Sequence, residues 1–172
     1  FGCTYKDHDP VIKSLIEKGK NFTPEDKQAV IDKQKELMGA IISKYREVES
    51  RGQIEIGTTP FYHPILPLLY DTDSAKVSLP KITLPKCRFQ HPEDAEKQVM
   101  DAVDFHKAIF GKEPYGMWPS EGSVSEDIIP IISKAGLKWI ATDEDILMKS
   151  LGKAEIKGRP LSPSELYKPY IF

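Results

Sequence analysis

Cysteine is nearly absent from this chain, which holds Cys3 and Cys87 among its 172 residues. Neither has a second cysteine at the short spacing of a metal knuckle, so thiolate zinc sites and disulfide-stapled folds are excluded. Free thiols in a reducing compartment are the plain reading, and a single Cys3–Cys87 disulfide is the alternative. Histidine occurs four times, never as H-x-x-x-H or H-E-x-x-H, so a helix-borne zinc site has no support. No charge sign dominates: 24 Lys and Arg oppose 26 Asp and Glu. With no basic block, neither nucleic acid nor a membrane surface has an electrostatic claim on the chain. Long hydrophobic runs are missing too. The most apolar stretch, IGTTPFYHPILPLLY, is broken by prolines and falls short of the about 20 residues a bilayer needs. There is no G-x-G-x-x-G, no Walker loop and no G-x-S-x-G elbow, so Ser120 has no credentials as a hydrolase nucleophile.

What is present is an ordinary globular composition, 40% apolar and 29% charged, long enough to bury a core. The chain opens on Phe-Gly-Cys-Thr without a signal-type apolar region and closes on Tyr170-Ile171-Phe172. The expectation is a cytoplasmic middle piece of a longer protein. Residues 1–172 are expected to form a single domain. It would comprise a helical region to residue 50, a strand–helix core over 51–150 and a linker-like end over 151–172.

Asp9-Pro10 reads as a helix cap followed by a first-turn proline, with Gly19 as the stop. Thr23-Pro24-Glu25-Asp26 opens a long helix that runs to about Gly52. Gln53 to Gly57 alternates like a strand and then meets three prolines in TTPFYHPILPLL. Residues 71–90 look like a surface excursion. Pro92 and Glu93 open another helix, striped by Ala95, Val99, Ala102, His106 and Ile109 and closed by Gly111. Ser123 and Glu126 have capping-box spacing before an apolar helix containing Pro130. Leu137 to Thr142 reads as a strand, and Asp143 as the start of a short helix. This alternation predicts an α/β fold with parallel strands.

In such folds ligands bind at the carboxyl ends of the strands. Residues 58–64, 118–121 and 143–145 fall there. Glu121, ahead of a predicted helix N-terminus, sits where free N–H groups favour an anion. It reads either as a nucleophilic carboxylate or as a first-turn acid serving the helix dipole. Trp118 offers an apolar platform for the C–H face of a sugar. His63 is either a hydrogen-bonding partner for a ligand hydroxyl or a backbone-bonded buried residue. Asp143 can stand near Glu121, since neighbouring strands end about 5 Å apart; its other role is to cap the DILMKS helix. His106 reads as core, His8 as a cap-region residue and His91 as a loop residue.

Two segments go further. GQIEIGTTPFYHPILPLL (52–69) and GMWPSEGSVSEDIIPIISKAGLKWIATDEDIL (116–147) resemble the second and third signature regions of glycoside hydrolase family 57, the latter in its amylopullulanase-like form. The resemblance implies an incomplete (β/α)7-barrel. It implies a retaining enzyme acting on α-glucans such as starch or glycogen, with Glu121 as nucleophile and His63 and Trp118 bordering the reacting sugar. No cofactor and no metal are expected. The family's N-terminal His-Gln-Pro tripeptide and its later acid/base aspartate have no match here, and Asp143 is not that aspartate by motif. The expected chain is thus part of a catalytic barrel, inactive on starch by itself, with exposed strand edges open to homodimerisation. Two other readings stand beside it: a metal-dependent polysaccharide deacetylase drawing on His63 and Asp143, and a non-catalytic glucan-binding or structural protein.

Overall fold

The computed structural model describes residues 1–152 and 162–171. They gather into two compact units, residues 1–54 and 55–172.

The first unit is helical: α1 (Cys3–His8), α2 (Pro10–Lys18) and α3 (Pro24–Ser50). Local chemistry sets the boundaries. Asp9 caps α2 by accepting from the N–H groups of Val11 at 3.0 Å and Ile12 at 3.1 Å, with Pro10 in the first turn. The other oxygen of Asp9 meets Lys33 Nζ at 3.0 Å, which pins the start of α2 to α3. Gly19 ends α2 at φ 66°, a conformation costly for any residue with a Cβ. Thr23 and Asp26 form a capping box on α3, and Lys18 pairs with Asp26 across the turn. Along α3 the side chains of Ile31, Met38, Ile41, Ile42 and Tyr45 remain exposed.

The second unit is built on three parallel extended segments. β1 (Gly116–Met117) lies in the middle. β2 (Trp139–Ile140) pairs with it in register, Gly116 with Trp139 and Met117 with Ile140. Thr58 forms a parallel bridge to Met117 on the opposite edge. The ladder is shorter than the sequence pattern predicts. It begins at Thr58 rather than along 53–57, and β2 covers two residues of the expected 137–142 strand. Proline is the cause at two ends: Pro60 and Pro119 follow the paired segments and have no N–H to continue them.

One face of this layer is apolar. Met117 and Leu137 pack with Leu66 of α4 (Leu66–Tyr70), with Ala95, Val99 and Val103 of α6 (Pro92–Phe110), and with Ile128 and Ile132. Ile132 belongs to α7 (Ile129–Lys134), which a 3-10 turn over Glu126–Ile128 leads into, so Pro130 falls harmlessly in the first turn. The predicted Ser123–Glu126 box does not form, because Ser125 rather than Ser123 stands at the start of that turn. The α6 stripe is buried as predicted except for half-buried Ile109, with Val103 as an addition, and Gly111 closes the helix at φ 82°. His106 is buried as expected, its Nδ1 3.0 Å from the carbonyl of Lys112.

The opposite face carries an indole. A Cβ on Gly116 would fall 1.9 Å from Trp139 Cε2, and one on Gly57 would lie 3.4 Å from its Cη2. Trp139 therefore lies flat across both glycines and donates its Nε1–H to Glu55 Oε1 at 2.7 Å. One side chain thereby spans all three parallel segments.

Residues 71–90 are the predicted surface excursion, with α5 (Ala75–Ser78) inside it. Its base is stapled. Arg88 pairs with Asp71 through both Nε, at 2.9 Å, and Nη2, while Thr72 N–H donates to Phe89 O at 3.0 Å. The guanidinium and then the N–H of Asp73 hold the Asp71 carboxyl at about 2, below its ordinary 3.8. Both cysteines are free and exposed. α8 (Glu144–Ser150) and the short α9 (Pro163–Leu166) complete the described elements. The expected linker-like stretch lies outside the described residues over 153–161.

Two measurements check this account. Gly116→Ala is expected to destabilise the chain by about 1–3 kcal/mol or more in urea unfolding. The same change in a Trp139→Ala background should cost little, because the clash partner is gone. For Asp71 the folded value lies below the unfolded one, so its stabilising contribution is complete above 3.8 and is lost as pH falls toward about 2. An NMR titration should find the Asp71 carboxyl near 2, and Arg88→Gln should return it toward 3.8.

Candidate active site

The three parallel segments end side by side, and each releases a loop there. Thr58 is held at both of its backbone polar groups: its N–H donates to Gly116 O at 3.0 Å and its carbonyl accepts from Trp118 N at 2.8 Å. The Thr58 and Trp118 backbones are thus fixed to each other just before Pro60 and Pro119, both fully buried. Beyond each proline the chain turns sharply. His63 N–H donates to Pro60 O at 2.8 Å, and Gly122 N–H donates to Pro119 O at 2.8 Å.

Both turns place a non-glycine residue in the left-handed region. His63 has φ 58° and Glu121 φ 56°. An L-residue there costs about 1–2 kcal/mol, and such strain concentrates at functional sites. The two strained residues meet: His63 Nε2 stands 3.8 Å from Glu121 Oε1, with the carboxylate side chain 73% exposed and the imidazole 48% exposed. On its other side His63 Nδ1 lies 2.8 Å from Thr59 Oγ1. The loop carrying His63 is tied to α6 through one residue. Gln98 accepts from Phe61 N at its main-chain oxygen, 3.1 Å away, and from Tyr62 N at its side-chain Oε1, 2.8 Å away.

Trp118 and Asp143 close around the same turn. A Cβ on Gly122, whose φ is 64°, would stand 3.3 Å from the Trp118 ring and 3.5 Å from Asp143 N. Glycine at 122 lets the indole and the next strand end approach the Glu121 backbone, and the Thr142 hydroxyl donates to Gly122 O. Asp143 caps α8, its Oδ1 accepting from Asp145 N at 2.8 Å. Of the two roles weighed for Asp143 from the sequence, the capping role is the one its contacts show.

The four residues singled out in the sequence, Glu121, His63, Trp118 and Asp143, therefore come from three adjacent strand ends. Glu121 is not at a helix N-terminus as the sequence predicts. It lies in a 3-10 turn over Ser120–Gly122, and α7 begins at Ile129. The reason is backbone geometry: Gly122 and Ser123 close a turn onto Pro119 and Ser120 before any helix can start. Thr59, Gly122, Thr142 and Gln98 escaped the sequence reading. The signal for Thr59 is its position four residues before His63 across a Pro-containing turn. Among the described residues no three His, Cys, Asp or Glu side chains gather where a metal ion could sit. No described helix is long and apolar enough to cross a membrane.

Comparison with known proteins covers nearly the whole chain. Residues 9–172 match the family described as Glycosyl hydrolase family 57. The chain is 26% identical over 130 residues to Alpha-amylase 1 of Dictyoglomus thermophilum, an alignment covering 75% of this chain and 16% of that protein. Among solved structures it is similar to the alpha-amylase AmyC from Thermotoga maritima at 16% identity and a TM-score of 0.51, covering 82% of this chain and 23% of that one. The GH57-type branching enzyme from Pyrococcus horikoshii aligns at 21% identity and a TM-score of 0.46, over 76% of this chain and 26% of that one. The chain thus spans about a sixth of the curated relative and about a quarter of the solved enzymes. The likeness to AmyC is one of fold, whereas the family match rests on the sequence from residue 9 to residue 172. This chain belongs to glycosyl hydrolase family 57.

Proposed function

We propose that this chain forms the nucleophile-bearing part of a (β/α)7-barrel in a retaining α-glucan hydrolase or transglycosidase, with Glu121 as the nucleophile. The observation that carries this is the convergence of an exposed carboxylate, an imidazole at 3.8 Å and an indole platform at the ends of adjacent parallel strands. In parallel α/β architectures that is where substrate binds. Family membership supports the reaction class, and the activity named for the Dictyoglomus thermophilum relative, alpha-amylase, supports an α-glucan substrate.

Retention needs two carboxyl groups about 5–5.5 Å apart. In the first step a Glu121 oxygen attacks the anomeric carbon. The glycosidic C–O bond breaks, and a general acid delivers its proton to the leaving oxygen. In the second step water or a sugar hydroxyl attacks the glycosyl-enzyme, gives its proton to the same acid/base, and Glu121 leaves as carboxylate. Asp143 does not supply the acid in this scheme, because it caps α8. The acid/base is assigned to a residue of the full-length protein outside this chain.

The other residues divide the remaining work. Trp118 packs on the C–H face of the sugar, where an indole gains from apolar contact. His63 presents Nε2 beside the nucleophile, placed to donate to a sugar hydroxyl. The left-handed turn at Glu121 leaves the carboxylate largely exposed at the strand ends, and Gly122 keeps that turn narrow enough for Trp118 to lie against it.

In the full-length enzyme Glu121→Gln should cut glucan cleavage on the order of 10⁴-fold while leaving maltooligosaccharide binding intact. A nucleophile makes a sharper claim. Glu121→Ala supplied with azide and an aryl α-maltoside should release the glycosyl azide of inverted configuration. Absence of that product, with wild-type rates in Glu121→Gln, would remove Glu121 from the mechanism. The 172-residue chain alone should release no reducing sugar from starch. Release that disappears in Glu121→Gln would place the acid within the chain.

A further inference from the structure

The imidazole of His63 has two faces, and each meets a different group. Nδ1 lies 2.8 Å from Thr59 Oγ1, a hydrogen-bond distance. Nε2 looks toward Glu121 Oε1 at 3.8 Å, beyond a direct hydrogen bond but within strong electrostatic reach. A neutral imidazole carries one N–H, and its partners decide which nitrogen holds it. If Nδ1 held the hydrogen, the Nε2 lone pair would confront a carboxylate. If Nε2 holds it, the N–H points at the anion and the Thr59 hydroxyl donates to Nδ1. A hydroxyl can donate or accept, so the second arrangement satisfies every group.

We propose that Thr59 is a positioning residue: its hydroxyl fixes the ring of His63 in the tautomer and orientation that present Nε2–H to Glu121 and to the sugar docking there. The proposal rests on the assignment of Glu121 as nucleophile for its catalytic meaning, but its geometry stands on the contacts alone. Thr59 is well suited to the task. It follows Thr58, whose N–H and carbonyl are both bonded to the strand that leads to Glu121. It precedes buried Pro60, whose carbonyl holds the His63 N–H at 2.8 Å. The hydroxyl therefore sits at a fixed height relative to the Glu121 turn, and it holds a ring that is otherwise half-exposed and free to flip about its Cβ–Cγ bond. A flip would replace Nε2 with a carbon facing Glu121 and remove the donor. One sugar hydroxyl between the two groups can accept from Nε2–H and donate to the carboxylate, the kind of contact that strengthens at the transition state of glycoside cleavage.

The test reads the tautomer directly. Long-range ¹H–¹⁵N correlation spectra of the 172-residue chain, recorded well above the ordinary histidine pKa of about 6.5, should show His63 as the Nε2–H form. Thr59→Val removes the hydroxyl at nearly constant shape and should give a mixture of tautomers. Thr59→Ser should restore the single form. Backbone amide spectra of both variants identify any that fail to fold, and the Thr59→Ser chain then carries the comparison with wild type. In the full-length enzyme Thr59→Val should lower kcat about 10-fold with KM little changed, and Thr59→Ser should recover most of the rate. A wild-type Nδ1–H tautomer, or Thr59→Val with an unchanged tautomer and rate, would overturn the proposal. An active Glu121→Gln enzyme with the Nε2–H tautomer intact would instead overturn the nucleophile assignment and leave the Thr59 contact standing.

Discussion

Two backbone hydrogen bonds on one residue hold this site together. Thr58 donates to Gly116 and accepts from Trp118, and these bonds set the height at which two separate loops leave the sheet. Everything chemical follows within a few residues on either side: Thr59 and His63 after the first segment, Trp118 and Glu121 after the second. Parallel pairing makes this possible, because both chains exit at the same end and their loops face one another. A glutamate and a histidine some 58 positions apart in sequence then come within 3.8 Å because their loops leave the ladder side by side. The positions of the two side chains are consequences of the ladder, and the ladder is short. Its integrity depends on the apolar packing of Met117 against α6 and α7 on one face and on the Trp139 indole lying across glycines on the other.

The helices were the most legible part of the sequence, because their boundaries are written in local chemistry. Asp9, Thr23 and Asp143 cap where they were expected to, and Gly19 and Gly111 end helices in conformations that favour glycine. The parallel α/β arrangement was legible from the alternation of patterns. Strand lengths were not, since pairing is decided by partners far away in sequence and by prolines that end the ladder early. Glu121 shows the same division. Its residue type and its motif marked it for chemistry, yet the local reading put it at the mouth of a helix. What it occupies is a left-handed turn closed onto Pro119, set by the glycine that follows and by the crowding of Trp118 and Asp143 against that glycine. Thr59 was invisible for a plainer reason. A threonine near a strand end is common, and only the fold of the Pro60 turn brings its hydroxyl to an imidazole.

Strain and rigidity go together here. Of the described non-glycine residues with positive φ, two of three are His63 and Glu121. The N–H of His63 bonds back to Pro60, that of Gly122, one residue past Glu121, bonds back to Pro119, and the His63 loop is gripped twice more by Gln98 of α6. A carboxylate and an imidazole kept largely in water would otherwise sample many rotamers, losing the geometry that an attack on carbon demands. The fold spends stability at these two turns and recovers it in the core beneath them.

The staple at the foot of the 71–90 excursion separates two tasks. With Arg88 clasping Asp71 and Thr72 bonded to Phe89, the residues above that clasp can lengthen or change at little entropic penalty, since closing a longer loop costs only slowly more. The turn that bears His63 answers to α6 instead. Relatives sharing this scaffold are thus free to diversify one ornament of the surface while the neighbouring chemistry stays untouched, a division of labour built from one arginine.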